Sequence, residues 1–108
     1  MDRFGGIEDW SGFEQARATL WHRQLHIFEI PFYYVEYGIA QLGALQLWQA
    51  SRRDLPATLD HYLKGLSLGG SRPLPELFQT SGLAFDFTDK TIAPLMRNVK
   101  DALLELAT

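Results

Sequence analysis

Apolar side chains in this chain recur at intervals of three and four residues, and no stretch of useful length alternates apolar with polar. A helix brings residues three and four apart onto one face, whereas a strand needs a period of two, so the pattern predicts an all-α fold. Phe13, Leu20, Trp21, Leu25 and Phe28 supply the apolar positions of a first helix, capped by Asp9 or Ser11 and reaching about Glu29. Pro31 has no backbone N–H and disfavours the helical region at Ile30, so the chain breaks or kinks there. Proline is tolerated in a first helical turn, and a second helix is expected from Pro31 to about Arg53. Gly38, Ala40, Gly43 and Ala44 lie within it. Two interior glycines cost about 1 kcal/mol each against alanine, which close approach of neighbouring backbones would offset.

Asp54 is placed to cap a third helix, in which Leu55, Leu59, Tyr62, Leu63 and Leu66 recur at helical spacing. Gly69–Gly70 ends it, because glycine readily takes the left-handed conformation past a helix C-terminus. Ser71 caps a short helix over Pro73 to Thr80, stopped by Gly82. Thr88 or Asp89 opens a last helix whose stripe is Ile92, Leu95, Met96, Val99, Leu103 and Leu106, with Pro94 in or near its first turns. The expectation is a single helical unit of about five helices over residues 1–108, since this length suffices for one core and not two.

Composition narrows the function classes. A 46% hydrophobic and 21% charged chain is globular rather than disordered. Its net charge is −3 and its ten Lys and Arg are scattered, so no basic stripe is offered to nucleic acid. The absence of cysteine removes disulfides and thiolate metal sites and fits a reducing, cytoplasmic setting. Asp2, Arg3, Glu8 and Asp9 interrupt the first ten residues, unlike the apolar middle of a secretory leader. The most lipid-like stretch, Pro31 to Ser51, has Glu36 as its only charge. It also carries Gln41, Gln46 and Gln49 where a lipid-facing helix would hold Leu or Val, so burial inside protein is expected, not a membrane span.

Chemistry concentrates between His22 and Trp48. His22 and His26 are four apart and Glu29 three further on, a spacing that on one helix would turn two imidazoles and a carboxylate towards a single ion. The residue after the first histidine is Arg23, however, where a His-Glu-x-x-His helix places its general base. Its charge disfavours a nearby dication, so local packing of the histidines is preferred and no metal site is assigned. Tyr33, Tyr34 and Tyr37 crowd into five residues, and on a helix Tyr37 would share a face with each of the other two. A phenol is a neutral donor able to meet a developing oxyanion. Periodicity alone favours an aromatic core stripe over this role. Gly69–Gly70–Ser71 lacks the lysine and preceding strand of a phosphate loop, and Arg52–Arg53 reads as solvated surface.

The run DWSGFEQARATLWHRQLHIFEIPFYYVEYGIAQLGALQLW resembles the C-terminal portion of the oligoendopeptidase F branch of the thimet-oligopeptidase-like zinc peptidases. The resemblance continues through LGGSRPLPELF and GLAFDFTDKTIAPLM and so covers nearly the whole chain. It implies part of a larger helical metallopeptidase that hydrolyses short peptides. His26 matches the family's substrate-binding histidine, and Tyr34 and Tyr37 match tyrosines that bind the scissile carbonyl and stabilise the tetrahedral intermediate. Tyr37 is the expected main donor, and Tyr33 is left open. Zinc is implied for the complete enzyme, but this sequence has no His-Glu-x-x-His and no counterpart of the third ligand. The expectation is the distal wall of an active site, inactive alone, whose partners are the zinc-bearing remainder and an oligopeptide. The alternative is a non-catalytic helical interaction or oligomerisation module. Both readings leave an apolar face uncovered, so the isolated chain is expected to form a homo-oligomer.

Overall fold

A computed structural model describes residues 7–107 of the chain. Asp2 and Arg3 lie outside them. The described residues form six α-helices and one 3₁₀ turn, with no strand, so the fold is all-α. Contacts divide the chain into two compact units, Met1–Val35 and Glu36–Thr108, where one was expected.

In the first unit the single long helix expected from the apolar spacing is broken into three pieces. These are α1 (Glu14–Ala18), a 3₁₀ turn (Leu20–Arg23) and α2 (His26–Glu29). Thr19 is the first breaker: its hydroxyl donates back to the carbonyls of Gln15 at 3.1 Å and Ala16 at 3.2 Å. A side chain that takes these acceptors competes with continuation of the ladder. Gln24 then leaves helical geometry at φ −88°, ψ 84°. Neither Asp9 nor Ser11 caps a helix. Asp9 Oδ1 accepts from the Ser11 N–H at 2.9 Å and the Ser11 hydroxyl at 2.6 Å, and α1 starts behind Phe13 without a side-chain cap.

Pro31 does stop the helical run, but the next helix does not begin with it. The Tyr33 N–H donates to the Ile30 carbonyl at 3.2 Å, closing a turn with Pro31 second and Phe32, at φ 66°, third. Proline second and positive φ third is the type II pattern, whose third position ordinarily belongs to glycine or asparagine.

The second unit contains nearly all of α3 (Val35–Ser51), followed by α4 (Leu55–Ser67), α5 (Leu74–Thr80) and α6 (Asp89–Leu106). Asp54 caps α4 as expected, accepting from the Ala57 N–H at 3.0 Å, and Gly69 at φ 52° follows its end. Two glycines set the helix spacing here. A β-carbon on Gly43 would meet the Phe78 ring at 3.1 Å, and one on Gly65 would overlap the Ser81 hydroxyl and lie 3.1 Å from Ser81 Cβ. These positions seat α5 against α3 and α4.

Two expected side-chain caps do not form. Pro73, not Ser71, precedes α5, with no side-chain bond. Thr88 precedes α6, but Asp86 does the bonding: its carboxylate accepts from the Thr88 N–H and hydroxyl, each at 3.0 Å, and from the Thr91 hydroxyl. Those three bonds hold the Asp86 carboxyl below its ordinary value, with Thr91 the largest contributor.

Burial is thin. Leu95, at 2% exposure, and Ala102 are the buried hydrophobic residues among those described. Of the α6 stripe, Met96, Leu103 and Leu106 are exposed. The α3 stretch expected to be buried on most sides has Gly43 as its buried residue, while Val35 and Tyr37 are exposed. On α4 the whole apolar stripe of Leu55, Leu59, Tyr62, Leu63 and Leu66 is exposed. Helical periodicity identified these residues as apolar faces, but nothing within the described chain covers most of them.

Candidate functional site

Of the residues singled out from the sequence, His22, His26, Tyr33 and Tyr34 stand at or beside the breaks in the first unit, and Tyr37 stands on α3. His22 belongs to the 3₁₀ turn and His26 opens α2, so the expected four-residue stacking of the two imidazoles on one helix does not form. His22 packs instead with Trp21, ring centres 4.0 Å apart and edge-on, and with Phe28 at 6.2 Å. Trp21 and Phe28 stack at 5.5 Å, which completes a three-ring group the sequence reading did not anticipate. Its only advance signal is the seven-residue interval between Trp21 and Phe28. Among the described residues no group of three or more His, Asp or Glu side chains is gathered so as to hold a metal ion.

His26 faces the other way along the chain, to the tyrosines. Its ring lies 6.0 Å from Tyr33, nearly parallel at 16°, and 6.3 Å from Tyr34, tilted at 54°. The turn at Pro31–Phe32 makes this possible, because it reverses the chain immediately after α2 and returns the next two residues towards the helix start. Tyr33 and Tyr34 precede Val35, the first residue of α3, so they do not share a helix face with Tyr37 as expected. The structure thus joins His26 with Tyr34 and adds Tyr33, whose role was open. Tyr37 stands on α3 in the second unit and is 47% exposed.

No protein-family model, curated protein or solved structure matches this chain.

His26 and Tyr33 are half-buried, and Tyr34 is 43% exposed, which leaves part of the cluster open to solvent. An imidazole supplies one donor and one acceptor when neutral, and a phenol supplies a donor that is neutral below about pH 10. Such a group is suited to hydrogen-bonding a polar, uncharged backbone such as a peptide, with ring faces for apolar side chains.

A second feature of the same unit is a cleft of about 430 Å³ lined by Glu8, Asp9, Trp10, Ser11, Glu14 and Arg17. Its carboxylates are held by neighbours. Ser11 lowers Asp9 through its hydroxyl and N–H, and the Gly12 N–H lowers Glu14. These bonds describe a self-satisfied turn more than a receptive site. In the second unit, an apolar groove of about 360 Å³ runs between α3, α4 and α5 over Gly43, Leu47, Leu66 and Phe78. Among the described residues, no helix is long and apolar enough to cross a membrane.

Proposed function

We propose that this chain is the substrate-facing C-terminal portion of an oligoendopeptidase F-like zinc peptidase acting on short peptides. The reading rests on the long sequence runs quoted above. One structural observation supports it: His26 and Tyr34, which the resemblance assigns to the substrate, pack against each other, with Tyr33 alongside. In this reading His26 contacts the peptide. Tyr34 and Tyr37 donate phenolic hydrogen bonds to the scissile carbonyl oxygen as negative charge develops on it, with Tyr37 the principal donor. Neutral donors suit that task because they bring no charge that must itself be desolvated.

Zinc, implied for the complete enzyme, does not fit the residues of this chain. There is no His-Glu-x-x-His, Arg23 follows His22, and the two histidines occupy different elements. The metal and its chemistry would belong to the remainder of the enzyme, and the chain alone is proposed to be inactive. The cysteine-free sequence fits a reducing, cytoplasmic setting for the whole.

The test joins this chain covalently to the zinc-bearing portion of an oligoendopeptidase F-type peptidase and measures hydrolysis of a quenched peptide beside thermal melting. Tyr37→Phe is expected to lower turnover on the order of 10²–10³ with little change in melting. His26→Ala is expected to act partly through KM. An inactive joined protein, or Tyr37→Phe rates within about twofold of the parent with melting clearly lowered, overturns the reading. Chelator-sensitive turnover by the isolated chain would also count against it.

The exposed stripe of α4 favours a second reading, a non-catalytic helical interaction module, because a contiguous apolar face marks an interaction surface. Under it the joined protein hydrolyses nothing, and Leu59→Lys weakens capture of a partner without affecting folding.

A further inference from the structure

We propose that Tyr33 is a lid built over His26, held shut by the strained turn at Phe32 and opened when residues 31–34 wind into a first turn of α3. The inference rests on backbone and ring contacts within the first unit and not on the peptidase reading. Of the crowded tyrosines, Tyr33 is the one that reading leaves without a role. Its ring lies 6.0 Å from the His26 ring at 16°, so it stacks on one face of the imidazole, and both residues are half-buried. The contact depends on the chain reversal at Pro31–Phe32, closed by the Tyr33 N–H donating to the Ile30 carbonyl at 3.2 Å. Phe32 holds that reversal at φ 66°, which crowds a β-carbon against the backbone, and its 94% exposed ring gains almost no burial in return. Strained backbone of this kind clusters at ligand clamps and switch regions.

The segment has a second conformation within reach. Proline is favoured at the first position of a helix. Ile30, at φ −133° and ψ 91°, already has the extended backbone of a residue just outside a helix N-terminus. The first residue of α3, Val35, follows Pro31 by four positions. Moving Phe32 to a helical φ relieves its strain and carries α3 back by about one turn. The same movement removes the reversal that returns Tyr33 to His26. Two terms oppose it. Ile30 has no side-chain oxygen to cap the lengthened helix, and Glu36 leaves the first turn, where it complements the helix dipole. Together with the ring stack these keep the lid shut, while the strain at Phe32 keeps the two forms close in free energy. A ligand for the covered imidazole face binds the open form alone and draws the segment into it. On the peptidase reading that ligand is the peptide, and the lid then regulates the same site.

The test is carbethoxylation of the full chain by diethyl pyrocarbonate, with the rate at His26 divided by the rates at His22 and His61, the chain's other histidines. Phe32→Gly removes the objection to positive φ and disfavours helix, whereas Phe32→Ala keeps the strained β-carbon and favours helix. Relative His26 reactivity is expected to be at least about tenfold higher in Phe32→Ala than in Phe32→Gly, with the parent between them. The Cα chemical shifts of residues 32–34 are expected to move towards helical values in Phe32→Ala. Combining either variant with Tyr33→Ala removes the lid, so His26 is then expected to react fast and alike in both. Equal His26 rates in the glycine and alanine variants overturn the proposal, as does the reverse order. So does a difference that survives Tyr33→Ala, or one shared by all the histidines, which reports general loosening of the fold. No step involves peptide or zinc, so the lid and the peptidase reading fail separately.

Discussion

The side-chain amide of Gln46 closes a two-bond ring with the backbone of Ala84, accepting from its N–H at 2.9 Å and donating to its carbonyl at 3.1 Å. One side chain on α3 thereby satisfies both polar groups of a residue thirty-eight positions on, in the segment that joins α5 to α6. The same segment carries Phe85, edge-on to Phe78 at 5.2 Å and to Phe87 at 4.9 Å. Gln46 is therefore the polar pin that holds an aromatic strap onto α3.

Gln46→Leu should lower the unfolding free energy by about 1 kcal/mol, because both Ala84 groups lose their partner while retaining some access to water. Gln46→Glu keeps the acceptor and loses the donor, and should fall between parent and Gln46→Leu. Urea unfolding of the three chains gives the order; a Gln46→Leu chain as stable as the parent would remove the pin.

The glycines separate packing from helix propensity. Gly38 has open space where a β-carbon would go, so Gly38→Ala should stabilise the chain by about 0.5–1 kcal/mol through helix propensity alone. Gly65→Ala gains the same propensity but forces the Ser81 side chain away from α4, and should cost about 1 kcal/mol net. Adding Ser81→Gly should recover most of that loss. Thermal melts of the three variants decide it, and an unchanged Gly65→Ala melt would contradict the close α4–α5 seat.

Phe32 is 94% exposed and sits at a positive φ that costs a residue bearing a β-carbon about 1–2 kcal/mol. Its ring buries almost nothing to offset that. Phe32→Gly should stabilise the Ile30–Tyr33 turn by about 1 kcal/mol, net of glycine's greater freedom in the unfolded chain. The local readout is exchange protection of the Tyr33 amide, expected to rise about fivefold. Lower protection would mean that the turn does not take this backbone form.

Acid should loosen the start of α6. Asp86 titrates below its ordinary value of 3.8 in the fold, so its bonds stabilise fully above that pH and are lost as pH falls through the lowered folded value. Asp9, Glu14 and Asp60 are lowered as well, and add to the same acid limb. Asp86→Asn should melt lower than the parent at neutral pH, with the difference shrinking as pH drops below about 4. Melting temperatures across an acid series test the sign; a gap that widens in acid would contradict it.

Local chemistry settled a definite share of this protein from sequence alone. Period-three and period-four apolar spacing gave the helical class, Asp54 gave its cap, and Gly69, Gly82 and Pro31 marked ends, because each signal acts within one or two turns of its own residue. The resemblance gave His26 and Tyr34 separate roles, and their adjacency was not legible: a type II-like turn at Phe32 brings the rings together, at a position whose residue type argues against positive φ. Other features were not legible in the apolar spacing. Thr19 bonding back to Gln15 and Ala16 at the end of α1, and Asp86 binding Thr88 and Thr91 beside the start of α6, are local choices of partner. Gln46 pinning Ala84, by contrast, belongs to tertiary structure. Burial was the widest departure. Periodicity reports which residues would leave water if a surface were offered, and only packing decides whether one is; on α4 and the outer edge of α6, none within the described residues does.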